Sequence, residues 1–206
     1  MPAISTRYIG WLSRFGDLAD AGIDLDLLVL LSGPEPQRTL LEERILVQAA
    51  GCPCELVMVR GLPAGGEKPV GILPGMEVYD HLPAVELEKL IRRARLVIAR
   101  PGYSTVMDLA RLGKRALLVP TPGQSEQEYL GPYLAGQGWA AWVRQGDLSL
   151  AAAVGMARGE GVAAGATGGE RPERAAVWAT EPSGKLAAEI TEVLGEVRQS
   201  LRPALG

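Results

Sequence analysis

Asp26-Leu27-Leu28-Val29-Leu30-Leu31 is an apolar run behind a single acid, and Ser32-Gly33-Pro34-Glu35-Pro36-Gln37-Arg38 follows it directly. An apolar run of this length without polar alternation reads as a strand covered on both faces. The Gly and Pro residues after it read as a turn. Leu40, Leu41, Ile45 and Leu46 then recur near the helical period, which predicts a helix over Thr39–Ala50 ended by Gly51. The same alternation continues outward. Strands are predicted over Glu55–Val59, Met76–Tyr79, Leu96–Ala99, Ala116–Val119 and Ala140–Val143. Helices are predicted over Val85–Ala94, Thr105–Leu112, Glu126–Ala135, Asp147–Ala157 and Lys185–Leu201, with a turn at His81-Leu82-Pro83. Short buried strands separated by helices predict an α/β fold with a doubly wound parallel sheet.

Composition narrows the function classes. The 206 residues carry 21 Lys+Arg against 24 Asp+Glu and one His, a formal net charge of -3, with 47% hydrophobic residues. Such a chain buries a full core without disulfides or structural metals. Its apolar fraction excludes a disordered protein, and its charge balance argues against bulk nucleic-acid binding. Arg7, Arg14, Asp17 and Asp20 interrupt the first twenty residues, so no secretory signal is read there and a cytoplasmic location is expected. Cys52-Pro53-Cys54 has no further Cys or His cluster to complete a metal site, so no metal is expected. The pair reads as two thiols in a loop before a strand. Lys89-Leu90-Ile91-Arg92-Arg93-Ala94-Arg95 reads as a solvated helix face, too short for a polybasic anchor.

In an open parallel sheet the ligand site lies beyond the carboxyl ends of the strands, where helix N-termini favour anions. Three junctions qualify. Ser32 and Gly33 let backbone N–H groups approach an anion, and Arg38 supplies positive charge; the plain alternative is a proline-rigid turn. This junction has neither a P-loop nor a dinucleotide fingerprint. Arg100-Pro101-Gly102-Tyr103-Ser104-Thr105 is the second, with Thr105 and Asp108 at capping-box spacing. Asp108 either caps its helix or faces the crevice and accepts from sugar hydroxyls. Pro120-Thr121-Pro122-Gly123-Gln124-Ser125 is the third, with Ser125 and Glu128 again at capping-box spacing.

Read together, Arg100-Pro101-Gly102-Tyr103-Ser104-Thr105 with Asp108-Leu109, Leu112-Gly113-Lys114, Leu118-Val119-Pro120 and Gln127-Glu128-Tyr129 resemble the C-terminal half of MurG-type transferases, glycosyltransferase family 28. The resemblance runs from about Leu27 to Trp142 and is strongest over residues 98–130. It implies a Rossmann-like domain that is one half of a GT-B architecture and holds a nucleotide-sugar donor, commonly UDP-linked, with no separate cofactor. It implies that Asp108 bonds the ribose hydroxyls, that Gln127 and Glu128 meet the donor sugar, and that the Ser32–Arg38 loop lies against the diphosphate. It further places the nucleobase near the His81–Pro83 turn, so that Ser32, Gly33, Arg38, His81, Leu82, Arg100, Gly102, Ser104, Thr105, Asp108, Gln127 and Glu128 are the expected donor-binding residues. Two prolines stand in the first loop where the family favours glycines, and Glu128 replaces the second of two glutamines.

On this resemblance residues 1–24 are a linker or interdomain crossover, 25–157 the nucleotide-sugar-binding domain, 158–184 a flexible Gly/Ala-rich segment and 185–206 a C-terminal helix. Tyr8-Ile9-Gly10 falls in the crossover, and Trp178 is a docking point in the flexible segment. The acceptor-binding N-terminal half is not seen in the sequence. The expected partner is therefore that domain, fused or as a separate subunit, with peripheral membrane contact only through it and an apolar patch where it docks. The general base usually comes from that half, so no catalytic residue is assigned here, and His81, the lone histidine, is not assigned as that base. The expected activity is inverting transfer of a hexosyl or N-acetylhexosaminyl group. The alternatives are a nucleotide-sugar hydrolase or 2-epimerase of the same fold, and a non-catalytic interaction module.

Overall fold

The computed structural model describes residues 13–16, 22–67, 69, 71–73 and 75–160. The expected helix over Lys185–Leu201, the Gly/Ala-rich segment beyond Glu160, Trp178 and Tyr8-Ile9-Gly10 lie outside the described residues.

Chain order is β1 (Leu25–Leu30), α1 (Gln37–Ala49), β2 (Leu56–Val59), β3 (Glu77–Tyr79), α2 (Ala84–Arg93), β4 (Ala94–Ala99), α3 (Tyr103–Arg111), β5 (Ala116–Leu118), α4 (Ser125–Gly136), β6 (Ala141–Trp142), a 3-10 turn (Gln145–Asp147) and α5 (Leu150–Arg158). The sheet has six strands in the order β3-β2-β1-β4-β5-β6, and every pairing is parallel. Leu27 pairs with Leu56 on one side and Leu96 on the other, and Val29 with Met58 and Ile98.

β1 is the central strand for a reason visible in its side chains. Leu27, Leu28 and Val29 are each 0% exposed. Full burial of each stabilises by about 1.5–3 kcal/mol. Alternate residues feed opposite layers. Leu27, Val29 and Leu31 pack with Leu41, Ile45 and Leu46 of α1 and with Ala153, Val154 and Met156 of α5. Leu28 packs with Val57, Val97 and Leu118 and with residues of α2, α3 and α4, among them Leu90, Ile91, Leu109 and Leu130. Two helical layers on one parallel sheet make the architecture Rossmann-like and doubly wound, as the sequence predicts.

Three local expectations are corrected. Asp147–Ala157 is not one helix: the Ser149 side chain accepts from Ala152 N at 3.3 Å and starts α5 afresh after the 3-10 turn. Neither capping box forms. The N-cap of α3 is Gly102 and that of α4 is Gln124, which leaves Thr105 and Ser125 inside their helices. The rigid Pro-Gly turns set these starts earlier than side-chain chemistry alone suggests.

The segment Ser13–Gly16 is bound to the α2/α3 face. Phe15 is 6% exposed and joins the second core. Gly16 N donates to Glu88 Oε2 at 3.2 Å, and Arg92 Nη2 donates to Gly16 O at 2.9 Å. The basic stretch on α2 is paired, with Arg92 to Glu88 and Arg93 to Asp24 at 2.8 Å each. That agrees with a solvated face rather than a membrane anchor. No described helix is long and apolar enough to cross a membrane.

Asp26, at the start of β1, ties α5 to the sheet: Arg158 Nη2 donates to its carboxylate at 2.8 Å. This hydrogen bond, aided by Glu55 N–H, holds the Asp26 carboxyl below its ordinary 3.8. A depressed folded value contributes stability that is complete above the unfolded value and lost as pH falls through the folded one. Urea midpoints measured from pH 6 down to about pH 3 are therefore expected to fall less steeply in Asp26→Asn than in the wild type.

Candidate functional site

Strand order reverses between β1 and β4, so the crevice of this fold opens between the loops that follow them. The loop after β5 flanks the same end. All three junctions singled out in the sequence meet here, but their side chains do different work.

The N-terminus of α1 is already filled. Thr39 N donates to Glu35 Oε2 at 3.2 Å, Arg38 N to Pro34 O at 3.2 Å and Leu40 N to Pro36 O at 3.0 Å. The Glu35 carboxyl is held below its ordinary range by the Thr39 contacts and by Arg38. An internal carboxylate thus stands at the positive helix end. Arg38 is 7% exposed and its guanidinium is spent on Glu35 at 2.6 Å, Glu42 at 2.7 Å and Thr39 at 2.9 Å. Its expected role as a free cation for a diphosphate is corrected on that geometry. Ser32 and Gly33 remain exposed. A Cβ on Gly33 would come within 3.5 Å of Thr121 Oγ1, so the first and third loops nearly touch.

Arg100 is also an internal group. It is 1% exposed, and its Nη atoms donate to Val119 O and Pro120 O at 3.0 Å, Gln37 O at 2.9 Å and Gln145 Oε1 at 2.6 Å. Every one of these acceptors is neutral, and burial lowers its pKa to about 10. It clasps the loop after β5 to the start of α1 and does not project as a ligand contact. Arg100 Nε and Thr121 Oγ1 are the buried side-chain atoms without a partner among the described residues.

The second junction is the open one. Gly102 caps α3 with extended backbone, no side chain caps the helix, and its first turn holds no acid. Ser104 is exposed and Thr105 half-buried. Among α1, α3 and α4, the N-terminus of α3 is the one that meets no acid among the described residues, because Glu35 fills that of α1 and α4 carries Glu126 and Glu128 in its first turn.

Asp108 does not face open solvent. Its carboxylate is 6% exposed and accepts from Ser13 Oγ at 2.7 Å, Arg14 Nε at 3.0 Å and Arg14 N at 3.4 Å. Sequence reasoning missed Ser13 and Arg14, which lie more than ninety positions away with no local signal pointing to them. In α4, Gln127 Oε1 accepts from Thr121 N at 2.9 Å and Glu128 Oε1 from Gly123 N at 3.0 Å. Both residues brace the loop that precedes them. A shallow pocket of about 330 Å³ lies there, lined by Gly123, Gln124, Ser125, Glu126 and Gln127. His81 is exposed and Leu82 leans on the second core, at the turn before α2. Tyr103, Tyr129 and Tyr133 are exposed by 57%, 65% and 48%, and the last two stack at 5.6 Å.

Cys52 and Cys54 are free thiols. They lie outside this crevice, beside a second pocket of about 160 Å³ shared with Leu73 and Met76. Burial, with Cys52 adjacent, pushes the Cys54 thiol up to about 12, so it is a poor thiolate. Among the described residues no group of three or more His, Cys, Asp or Glu is placed to hold a metal.

Comparison with known proteins agrees with this fold. Residues 72–158 match the glycosyltransferase family 28 C-terminal domain. No curated protein sequence matches. Among solved structures, CalG4, the calicheamicin glycosyltransferase, is 21% identical with a TM-score of 0.61, over 91% of this chain and 46% of that one. MurG of Acinetobacter baumannii is 16% identical with a TM-score of 0.52, over 89% and 55%. The spinosyn rhamnosyltransferase SpnG, solved with thymidine diphosphate, is 17% identical with a TM-score of 0.51, over 90% and 51%. The chain therefore spans about half the length of these structures. That family match runs from the β3 region through α5, and the sheet has the Rossmann-like fold of the GT-B glycosyltransferases among these structures.

Proposed function

We propose that this domain binds the donor of an inverting GT-B glycosyltransferase, a UDP-linked hexose or N-acetylhexosamine, for transfer to an acceptor held by an N-terminal half. The observation that carries the reading is the uncapped, acid-free N-terminus of α3, within the segment that matches family 28 and beside the strand-order switch. Free N–H groups and the helix dipole there suit a diphosphate without a metal ion. Ser32 and Gly33 are exposed in the loop after β1, on the other side of the strand-order switch. Gln127, at the α4 pocket, is the candidate for sugar hydroxyls. The thymidine diphosphate in SpnG supports a nucleoside diphosphate as the ligand class.

The α1 N-terminus is not used for phosphate in this reading, because Glu35 occupies it. Asp108 reaches a ribose only if Ser13 and Arg14 release it, so its role is conditional on that segment. These two occupied positions are what favour the second reading, an interaction module that kept the fold without the ligand.

Calorimetry with UDP, thymidine diphosphate and UDP-sugars separates the two. Ser104→Glu places an acid in the open first turn of α3. That change is favourable for the helix by about 0.3–1 kcal/mol, yet it puts negative charge where the diphosphate would lie. The expected result is UDP binding by the wild type, a loss of at least about tenfold in Ser104→Glu, and an unchanged or slightly raised melting temperature. No binding by the wild type favours the interaction module. Equal binding by both proteins removes α3 as the anion site.

A further inference from the structure

A chain of buried ion pairs connects the carboxyl ends of β1 and β3. Glu42, on the second turn of α1, is 3% exposed. It accepts from Arg38 Nη1 at 2.7 Å and from Arg60 Nε at 2.6 Å. Arg38 continues to Glu35 in the loop after β1. Arg60, immediately after β2, continues to Asp80 Oδ1 at 2.6 Å and to Glu67 O at 2.8 Å. Asp80 Oδ2 accepts in turn from Gly66 N at 3.3 Å. Backbone bonds run alongside, from Arg60 N to Tyr79 O at 2.8 Å and from Leu62 N to Asp80 O at 2.7 Å. The series Glu35–Arg38–Glu42–Arg60–Asp80 thus begins beside Ser32-Gly33 and ends one residue before His81-Leu82.

Buried arginine–carboxylate series are weak sources of net stability, since desolvation offsets most of the attraction. What they do hold well is direction, because the guanidinium fork fixes the angle and distance of each carboxylate. Two loops joined through two nearly inextensible forks keep a constant separation. Glu42 and Arg60 cannot touch a ligand themselves, being 3% and 6% exposed.

We infer that Glu42, Arg60 and Asp80 are positioning residues that set the spacing between the loop after β1 and the turn after β3, so that the crevice accepts a ligand of nucleoside diphosphate length. This rests on the donor reading above, in which those two segments meet the diphosphate and the base. It adds a length selection that neither loop possesses alone.

Asp80 is the member to test, because its side chain is 39% exposed and its loss leaves the buried pairs intact. Asp80→Asn frees the 81–83 turn while the anion end is untouched. Calorimetry with UDP and with inorganic pyrophosphate is run on wild type, Asp80→Asn and Asp80→Glu. UDP affinity is expected to fall about tenfold in Asp80→Asn with pyrophosphate affinity unchanged. Asp80→Glu, which keeps the charge, is expected to regain most of it. Melting temperatures should agree within about 2 °C, which separates a ligand-specific loss from a merely structural one. UDP binding that Asp80→Asn leaves unchanged overturns the inference alone, as does a loss shared equally by pyrophosphate. Absence of UDP binding by the wild type overturns the donor reading, and this inference with it.

Discussion

Glu42→Ala is expected to destabilise the domain by about 3–5 kcal/mol. The carboxylate lies between two guanidiniums, bonded to Arg38 Nη1 at 2.7 Å and to Arg60 Nε and Nη2 at 2.6 and 3.4 Å. Its removal leaves Arg38 and Arg60, 7% and 6% exposed, facing each other with no charge between them. Glu35 and Asp80 still hold their outer sides, but the inner N–H groups lose acceptors in a place water does not reach. The repulsion and the lost hydrogen bonds act together, which puts the effect at the upper end for a point change. Against a total of roughly 5–15 kcal/mol for a domain, that is a large share. Guanidinium-chloride unfolding reads it as a lower midpoint at unchanged slope. A loss under about 1 kcal/mol would mean that the two arginines find other acceptors, and the series would then not be rigid. A triple change of Arg38, Glu42 and Arg60 to Met, Leu and Met removes all three charges at once. It is expected to regain most of the stability while losing the fixed spacing between the loops.

Gly61→Ala is the second large effect, at least about 2 kcal/mol. Gly61 has φ +71, a region that costs a residue with a Cβ. The added carbon would also lie 2.4 Å from Leu31 O, a backbone atom that no rotamer change can move aside. Leu31 is itself tied to the sheet, its N–H donating to Val59 O at 2.9 Å. The chain after β1 must shift to admit the methyl, and Ser32-Gly33 move with it. Thermal unfolding and UDP calorimetry should both register the change. Gly102→Ala is the control: its φ is -80 and nothing lies within 4 Å of a Cβ there, so its stability is expected to stay within about 0.5 kcal/mol. Similar losses in the two variants would remove close approach as the cause.

The buried ion-pair series and the tight contact at Gly61 converge on one loop. Residues 31–37 are bounded by Gly61 on one side, by the Arg38–Glu42 pair on another and by Thr121 across the crevice. In the donor reading this loop is the wall of the diphosphate site, so its rigidity bears on affinity as well as on stability.

The fold was legible because its determinants are local and periodic. Unbroken apolar runs such as Leu27–Leu31 announce a strand buried on both faces, and Gly-Pro turns mark where each strand hands over to a helix. Element boundaries moved by up to three residues: backbone geometry decided the helix starts at Gly102 and Gln124, and the Ser149 side chain decided that of α5. The candidate site was legible in position but not in occupancy. Arg38, Arg100 and Asp108 all lie where the strand-order rule puts a crevice. Whether a charged side chain turns outward to a ligand or inward to a partner depends on residues far away in sequence.

That division has a physical reason. Periodicity and turn chemistry are properties of neighbouring residues, so the sequence by itself determined a doubly wound parallel sheet, its strand-to-helix junctions and the resemblance to family 28. The state of each charge is a property of what folding brings within hydrogen-bond reach. Only the tertiary structure decided that Glu35 fills the end of α1, that Ser13 and Arg14 hold Asp108, and that Arg100 is buried among carbonyls. It also decided that the α3 terminus is left open, with no acid folded back onto it among the described residues.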